Sequence, residues 1–178
     1  MRPMARMWQV APWLITASLI SAAEPAGAQE AGSRPTREYL QAAASADQFE
    51  IVAAQTALAQ STQPDVRAFA ARMLEDHQQL RKAHRDAAAR SGLKPPEMAI
   101  GADQALLLGA LQSASGKEFD ALYLRQQVLA HRSALVVEQA YAKSGDDANL
   151  RQSAAAAVPV ISSHADMANQ AAARSEGR

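Results

Sequence analysis

The chain has 178 residues, with 18 basic and 18 acidic side chains for a formal net charge of +0 at pH 7, and it contains no cysteine. Disulfides, thiolate catalysis, thiolate metal sites and a lipidated N-terminal cysteine are therefore excluded, and any metal must be held by nitrogen and oxygen. The balanced, interspersed charge offers no electrostatic footprint for nucleic acid or acidic lipid.

The first element is not part of the fold. Arg2 and Arg6 precede an uncharged stretch over residues 7–23 that carries Val10, Trp13, Leu14, Ile15, Leu19 and Ile20. This pattern reads as a secretory signal peptide over residues 1–28, with Ala26-Gly27-Ala28 as the cleavage site and Ser21-Ala22-Ala23 as a second candidate. An uncleaved anchor is the competing reading, but Pro12, Gln9, Thr16 and Ser18 interrupt a stretch at the short limit of the ~17–25 residues that a spanning helix needs. Cleavage leaves 150 residues of the 178, one domain with one core, and lowers the basic count from 18 to 16 and the acidic count from 18 to 17. No later segment is long and apolar enough to span a bilayer.

Residues 29–35, with Gly32, Ser33 and Pro35, read as a flexible leader, and the domain is expected over residues 36–174. A first helix is predicted from Thr36 to about Ser61, its buried stripe passing through Ala43, Ala46, Glu50, Ala53 and Ala57. Thr62-Gln63-Pro64 breaks the pattern, and Pro64 opens a second helix carrying Val66, Phe69, Ala70, Met73, His77 and Leu80 until Gly92 stops it. Pro95-Pro96 then makes a crossover connection, and Asp103 to Ser113 forms a short apolar lid or side helix. The third long helix, Lys117 to Ser144, places Leu124, Val128, His131, Leu135 and Glu138 on one stripe, with Gly145 as its cap. Asp146-Asp147 starts the fourth, through Leu150, Ala154, Ala157, Ile161, His164 and Ala168, with Pro159 expected to kink or divide it. Four long helices with short first and third connections and a long middle one make an all-α four-helix bundle with a crossover.

Three of the four histidines, His77, His131 and His164, fall on apolar faces of three different predicted helices, and Glu50 takes the same kind of position on a fourth. A buried ring nitrogen without a partner loses about 1–3 kcal/mol, so partners are implied. One solution is a shared transition metal with Glu50 as fourth ligand and Asp120 accepting from a ring's outer nitrogen. The other is a metal-free polar layer of Glu50, histidines, Asp120 and Tyr123 that fixes helix register. His84, among Arg81, Lys82 and Arg85, and Asp76, next to His77, read as surface residues. Glu138 reads as an end-of-bundle carboxylate, and Tyr39, Tyr123 and Tyr141 as amphipathic residues at the core edge. There is no nucleophile with its base, no glycine-rich phosphate loop and no basic, aromatic surface, which argues against hydrolase or nucleotide chemistry.

Phe49-Glu50, Val66-Arg67-Ala68-Phe69-Ala70, Met73-Leu74-Glu75-Asp76-His77, Phe119-Asp120 through Tyr123 and Gln127 to His131, and Val158-Pro159-Val160-Ile161 leading to His164 form an ordered set. Together they resemble the bacterial domain-of-unknown-function family 4142, exported proteins placed in the ferritin-like superfamily. The resemblance implies a ferritin-like bundle in the periplasm or cell envelope, with Glu50, His77, His131 and His164 as family-type polar positions, and it implies no activity. Ferritin-like di-iron proteins carry paired Glu-x-x-His motifs, whereas here Leu74, Val128 and Ile161 stand three residues before the histidines. A single zinc or copper ion, or no metal, is expected in place of di-iron. The leading expectation is a non-catalytic exported bundle that binds metal or an envelope protein partner, linked to envelope stress or interaction. The alternative is a metal-dependent redox enzyme using the same core.

Overall fold

The computed structural model describes residues 32–176. Five helices follow in order, α1 (Arg34–Gln60), α2 (Pro64–Arg90), α3 (Ala102–Ser113), α4 (Gly116–Ser144) and α5 (Ala148–Glu176), with no strand among the described residues. The expected all-α bundle is present.

Helix boundaries follow local chemistry. α1 starts earlier than expected, because Ser33 accepts from the Thr36 backbone N–H at 3.1 Å and Pro35 fits a first-turn position. The segment expected as leader therefore gives Arg34 and Pro35 to the helix, and its residues 29–31 and the whole signal peptide lie outside the described residues. α2 ends in a Schellman motif: Leu93 N–H donates to Ala88 at 2.9 Å, Gly92 N–H donates to Ala89 at 3.0 Å, and Gly92 has φ +68°. Leu93, thus turned back, is buried beside Ala88. Pro159 does not divide α5, which is one helix. Both Pro159 and Ala155, whose carbonyl loses its helical donor, are exposed, so that carbonyl faces water.

Contacts between side chains define the topology. Thr36 meets Tyr141 and Tyr39 meets Glu138, while Glu50, further along α1, meets His131, so α1 and α4 run antiparallel. Ser91 meets Asp147 and Asp76 meets His164, so α2 and α5 are antiparallel too. With α1/α2 and α4/α5 as hairpins, the order is up, down, down, up. The connection between α2 and α4 must then travel the length of the bundle, and α3 lies in that crossover against α1 and α4. Ser45 donating to the Ala99 carbonyl at 2.9 Å and Gln126 donating to the Leu107 carbonyl at 2.9 Å fasten it there.

Two apolar clusters fill the ends. Phe49, Phe69, Met73, Leu111, Phe119 and Leu124 pack at one end, and Tyr39, Leu40, Ala87, Leu93, Tyr141 and Leu150 at the other. Burying each large side chain contributes roughly 1.5–3 kcal/mol. Between them lies a buried polar zone containing Asp47, Glu50, His77, His84, His131 and His164. The site occupies that zone.

Candidate metal centre

Helical period brings the predicted histidines together. His77 lies on the α2 stripe with Met73 and Leu80, His131 on the α4 stripe with Leu124 and Gln127, and His164 on the α5 stripe with Ile161 and Ala168, all facing the bundle axis. Each is 1% exposed, and one nitrogen of each ring lies within 4.8 Å of the others. The nearest pair, His77 Nε2 and His131 Nε2, is 3.3 Å apart. Two nitrogens bound tetrahedrally at ~2.0–2.1 Å would stand about 3.3 Å apart, so this edge already has metal-site dimensions.

The outward nitrogens fix the tautomers. His77 Nδ1–H donates to Asp47 Oδ1 at 3.0 Å, His131 Nδ1–H to the Gln127 carbonyl at 2.8 Å, and His164 Nε2–H to Asp76 Oδ2 at 2.8 Å. Burial raises the pKa of both aspartates, but hydrogen bonds from His77 and His84 to Asp47, and from Arg72 and His164 to Asp76, outweigh it and hold each below the usual carboxylate value. An ionised carboxylate and a backbone carbonyl can only accept. All three ring protons are therefore given to these acceptors, and in the neutral rings the lone pairs left over are those of His77 Nε2, His131 Nε2 and His164 Nδ1, in a cluster where one nitrogen of each ring lies within 4.8 Å of the others. This is the arrangement in which metal-binding imidazoles are held by carboxylates and carbonyls.

Without a metal, one extra proton relieves one of these contacts. Burial opposes charge on His77, yet Asp47 and Glu50 raise its pKa above the ordinary value. Burial lowers that of His131, and the His77 charge adds to the effect although Glu50 opposes it. A proton in the 3.3 Å contact is therefore held better by His77 than by His131. It does nothing for His164, whose buried Nδ1 has no hydrogen-bond partner and whose pKa falls to about 4, through burial and the neighbouring histidines, despite Asp76.

The other polar residues singled out from the sequence divide. Glu50 is buried beside the triad, with Oε1 3.8 Å from His131 Nδ1 and both oxygens without hydrogen-bond partners. It stands outside the group of converging ligand atoms. Asp120 is buried but lines a different cavity with Val66, Lys117 and Leu124, and the outer-nitrogen role expected of it is taken by Asp47 and Asp76. Asp76 is thus not a solvated bystander. It sits 100° round α2 from His77, at the edge facing α5, and reaches His164.

His84 is buried rather than surface, because it stands two turns from His77 on the same stripe and its charged neighbours point aside. Its Nδ1–H donates to Asp47 Oδ2 at 3.1 Å, and its Nε2 is 3.6 Å from Glu138 Oε1. Burial raises the Glu138 pKa, and Glu138 accepts from Tyr39 at 2.9 Å. Tyr39 stacks on Tyr141, with ring centroids 3.9 Å apart. Asp47 is the residue that sequence reasoning missed. Its signal was a carboxylate three residues before Glu50, continuing the Leu40 and Ala43 spacing.

A cavity of about 460 Å³ between α1, α3 and α4 reaches this centre from outside. Glu50, His77 and His131 line its inner end, and small residues, including Ala42, Ala46, Ala130 and Ser133, form much of its walls. His164 does not line it.

The chain matches the family model described as a domain of unknown function, DUF4142, over residues 21–171. Its fold is similar to the crystal structure of a DUF305 fragment from Deinococcus radiodurans, with a TM-score of 0.70 at 15% sequence identity, over 80% of this chain and 97% of that one. No curated protein matches it.

Proposed function

The chain belongs to the DUF4142 family, and from that premise we propose that it is an exported, non-catalytic helical bundle that binds one transition-metal ion through His77, His131 and His164. The observation that carries this reading is the set of three inward lone pairs, each produced by an outward N–H given to a group that can only accept. A hydrogen-bonded layer accounts for two of the three. The third, His164 Nδ1, is buried and unpartnered, and a metal would satisfy it together with the others.

The ligand set favours zinc or copper. Imidazole nitrogen suits both, and the bridging carboxylates of a di-iron centre are not in the cluster. Glu50 stays outside the cluster, buried with Oε1 3.8 Å from His131 Nδ1, and is the oxygen donor we propose as a further ligand. Export rests on the N-terminal signal pattern, and the periplasm or cell envelope is the compartment it names. No helix among the described residues is long and apolar enough to cross a membrane.

The test is elemental analysis and native mass spectrometry of the mature protein, purified without an affinity tag and offered Zn²⁺ or Cu²⁺, beside a His77→Ala/His131→Ala variant. About one ion per wild-type chain and none in the variant is expected. A wild type that stays metal-free, or a variant that takes up as much, overturns the reading.

One observation favours the second reading, a metal-dependent redox enzyme: the cavity gives the centre a route from outside. That reading requires a redox-active ion and turnover that disappears in His77→Ala, whereas stoichiometric zinc in protein from its native compartment rules it out.

A further inference from the structure

The cavity is chemically one-sided. Its charged lining residues are all acids, Glu50, Asp103 and Glu138, and neither lysine nor arginine lines it. Phe49, Leu107, Leu129 and Val137 supply apolar surface. Space exists because alanines face each other across the α1–α4 seam where larger side chains would have met. Helix α3, pinned by Gln126 at Leu107 and preceded by a connection pinned by Ser45 at Ala99, supplies Ala102, Asp103, Gln104 and Leu107 to the wall.

A ligand here meets three requirements together. An anion is disfavoured, since apart from a triad-bound ion the lining carries the carboxyl groups of Glu50, Asp103 and Glu138 and no lysine or arginine. Much of the ligand must be apolar, to gain from alanine, leucine and phenylalanine surface. If the triad holds a metal, the inner end of the cavity presents a Lewis acid with three nitrogen ligands and an accessible face, so the ligand's buried end must offer a lone pair. An ammonium group has no lone pair to offer, and a carboxylate is disfavoured by the acidic lining.

We propose that this cavity binds a small, neutral, largely apolar Lewis base, in its simplest form an aromatic nitrogen heterocycle, which coordinates the triad-bound metal from the side lined by Glu50, His77 and His131. The inference rests on the triad reading and adds to it an open coordination position and the class of molecule that fills it. The heterocycle's ring occupies the space between Ala46 and Ala130. Its nitrogen reaches the metal, and Glu50 moves aside or accepts from the ring's N–H.

The experiment uses the mature protein loaded with Co²⁺, whose visible absorption reports ligand number and geometry, titrated with 4-phenylimidazole and separately with azide. Ala46→Leu and Ala130→Leu each fill the cavity from a different wall, and whichever retains the wild-type helical signal serves as control. The expected result is a saturable spectral change with 4-phenylimidazole, weakened about tenfold or more in the filled variant with Co²⁺ uptake unchanged, and azide binding about tenfold weaker than the heterocycle. A Co²⁺ spectrum that does not respond, equal binding by the filled variant, or azide binding as tightly as 4-phenylimidazole overturns the inference and leaves the metal site standing. Failure of wild-type protein to take up Co²⁺, Zn²⁺ or Cu²⁺ overturns the triad reading itself, and the inference with it.

Discussion

Two buried polar groups share this bundle, and they are built on opposite plans. Around His77, His131 and His164, hydrogen bonds run outward and leave lone pairs converging on a point. From Asp47 toward the α4 C-terminus, polar atoms run in a line: Asp47 to His84, His84 beside Glu138, Glu138 to Tyr39, and Tyr39 stacked on Tyr141, which bonds Thr36 at 2.7 Å. The line leaves one buried atom, His84 Nε2, without a hydrogen bond, but it lies 3.6 Å from an acceptor, Glu138 Oε1, within the line itself, as in a register-fixing layer. The point leaves His164 Nδ1 and, beside the triad, both Glu50 oxygens unpartnered. The two readings that compete at the level of sequence, metal centre and polar layer, are thus supported in neighbouring zones of one core, and Asp47 joins them.

Removing that junction should have the largest effect. Asp47→Ala leaves His77 and His84 without their shared carboxylate, and loss of about 3–5 kcal/mol is expected from breaking a buried charged pair. Urea unfolding of the chelated protein checks this, and a loss below ~1 kcal/mol would mean that the line and the point are not coupled through Asp47.

The next effect separates the two by pH. His164, at about 4 in the folded chain against an ordinary 6.5, is protonated first in the unfolded chain as pH falls. Its stabilising contribution is therefore present above pH ~6.5 and is lost between there and pH ~4, an effect of about 3 kcal/mol at most. His77 and His84, both raised, contribute in the opposite sense: their stabilisation is present below ~6.5 and lost as pH rises through their folded values. Metal-free wild type should thus lose more stability from pH 7 to pH 4 than metal-free His164→Asn. Parallel stability profiles would contradict the His164 assignment.

Within the line, Tyr39→Phe removes the donor to Glu138 and should cost about 1–2 kcal/mol without changing metal content. A change in metal content would join the line to the binding function. The smallest effect lies at the end of the line: Ser33→Ala removes the α1 cap and a hydrogen bond to Asp146, the partner of Thr36 and Tyr141, and should cost about 1 kcal/mol in the same urea unfolding.

Sequence patterning carried the helices and the convergence of three histidines, because both depend on a 3.6-residue period and on punctuation at Pro64, Gly92 and Gly145. Partners across helices were less legible. Asp76 looked solvated because periodicity turns it from His77's face, but that same turn points it at α5. His84 was hidden by charged neighbours that point elsewhere, although its spacing from His77 is two full turns. Asp120 had the right helix and face but lies too far along α4. The cavity depends on small residues meeting across a seam, which no single helix pattern expresses.

The topology has a kinetic consequence. The three histidines come from both hairpins, α2 from the first and α4 and α5 from the second, with His77 and His131 54 positions apart and Asp76 and His164 88 apart. Neither hairpin alone can assemble the set. An ion held by all three would bind only after the hairpins dock and would slow their separation, so metal retention would report completed folding.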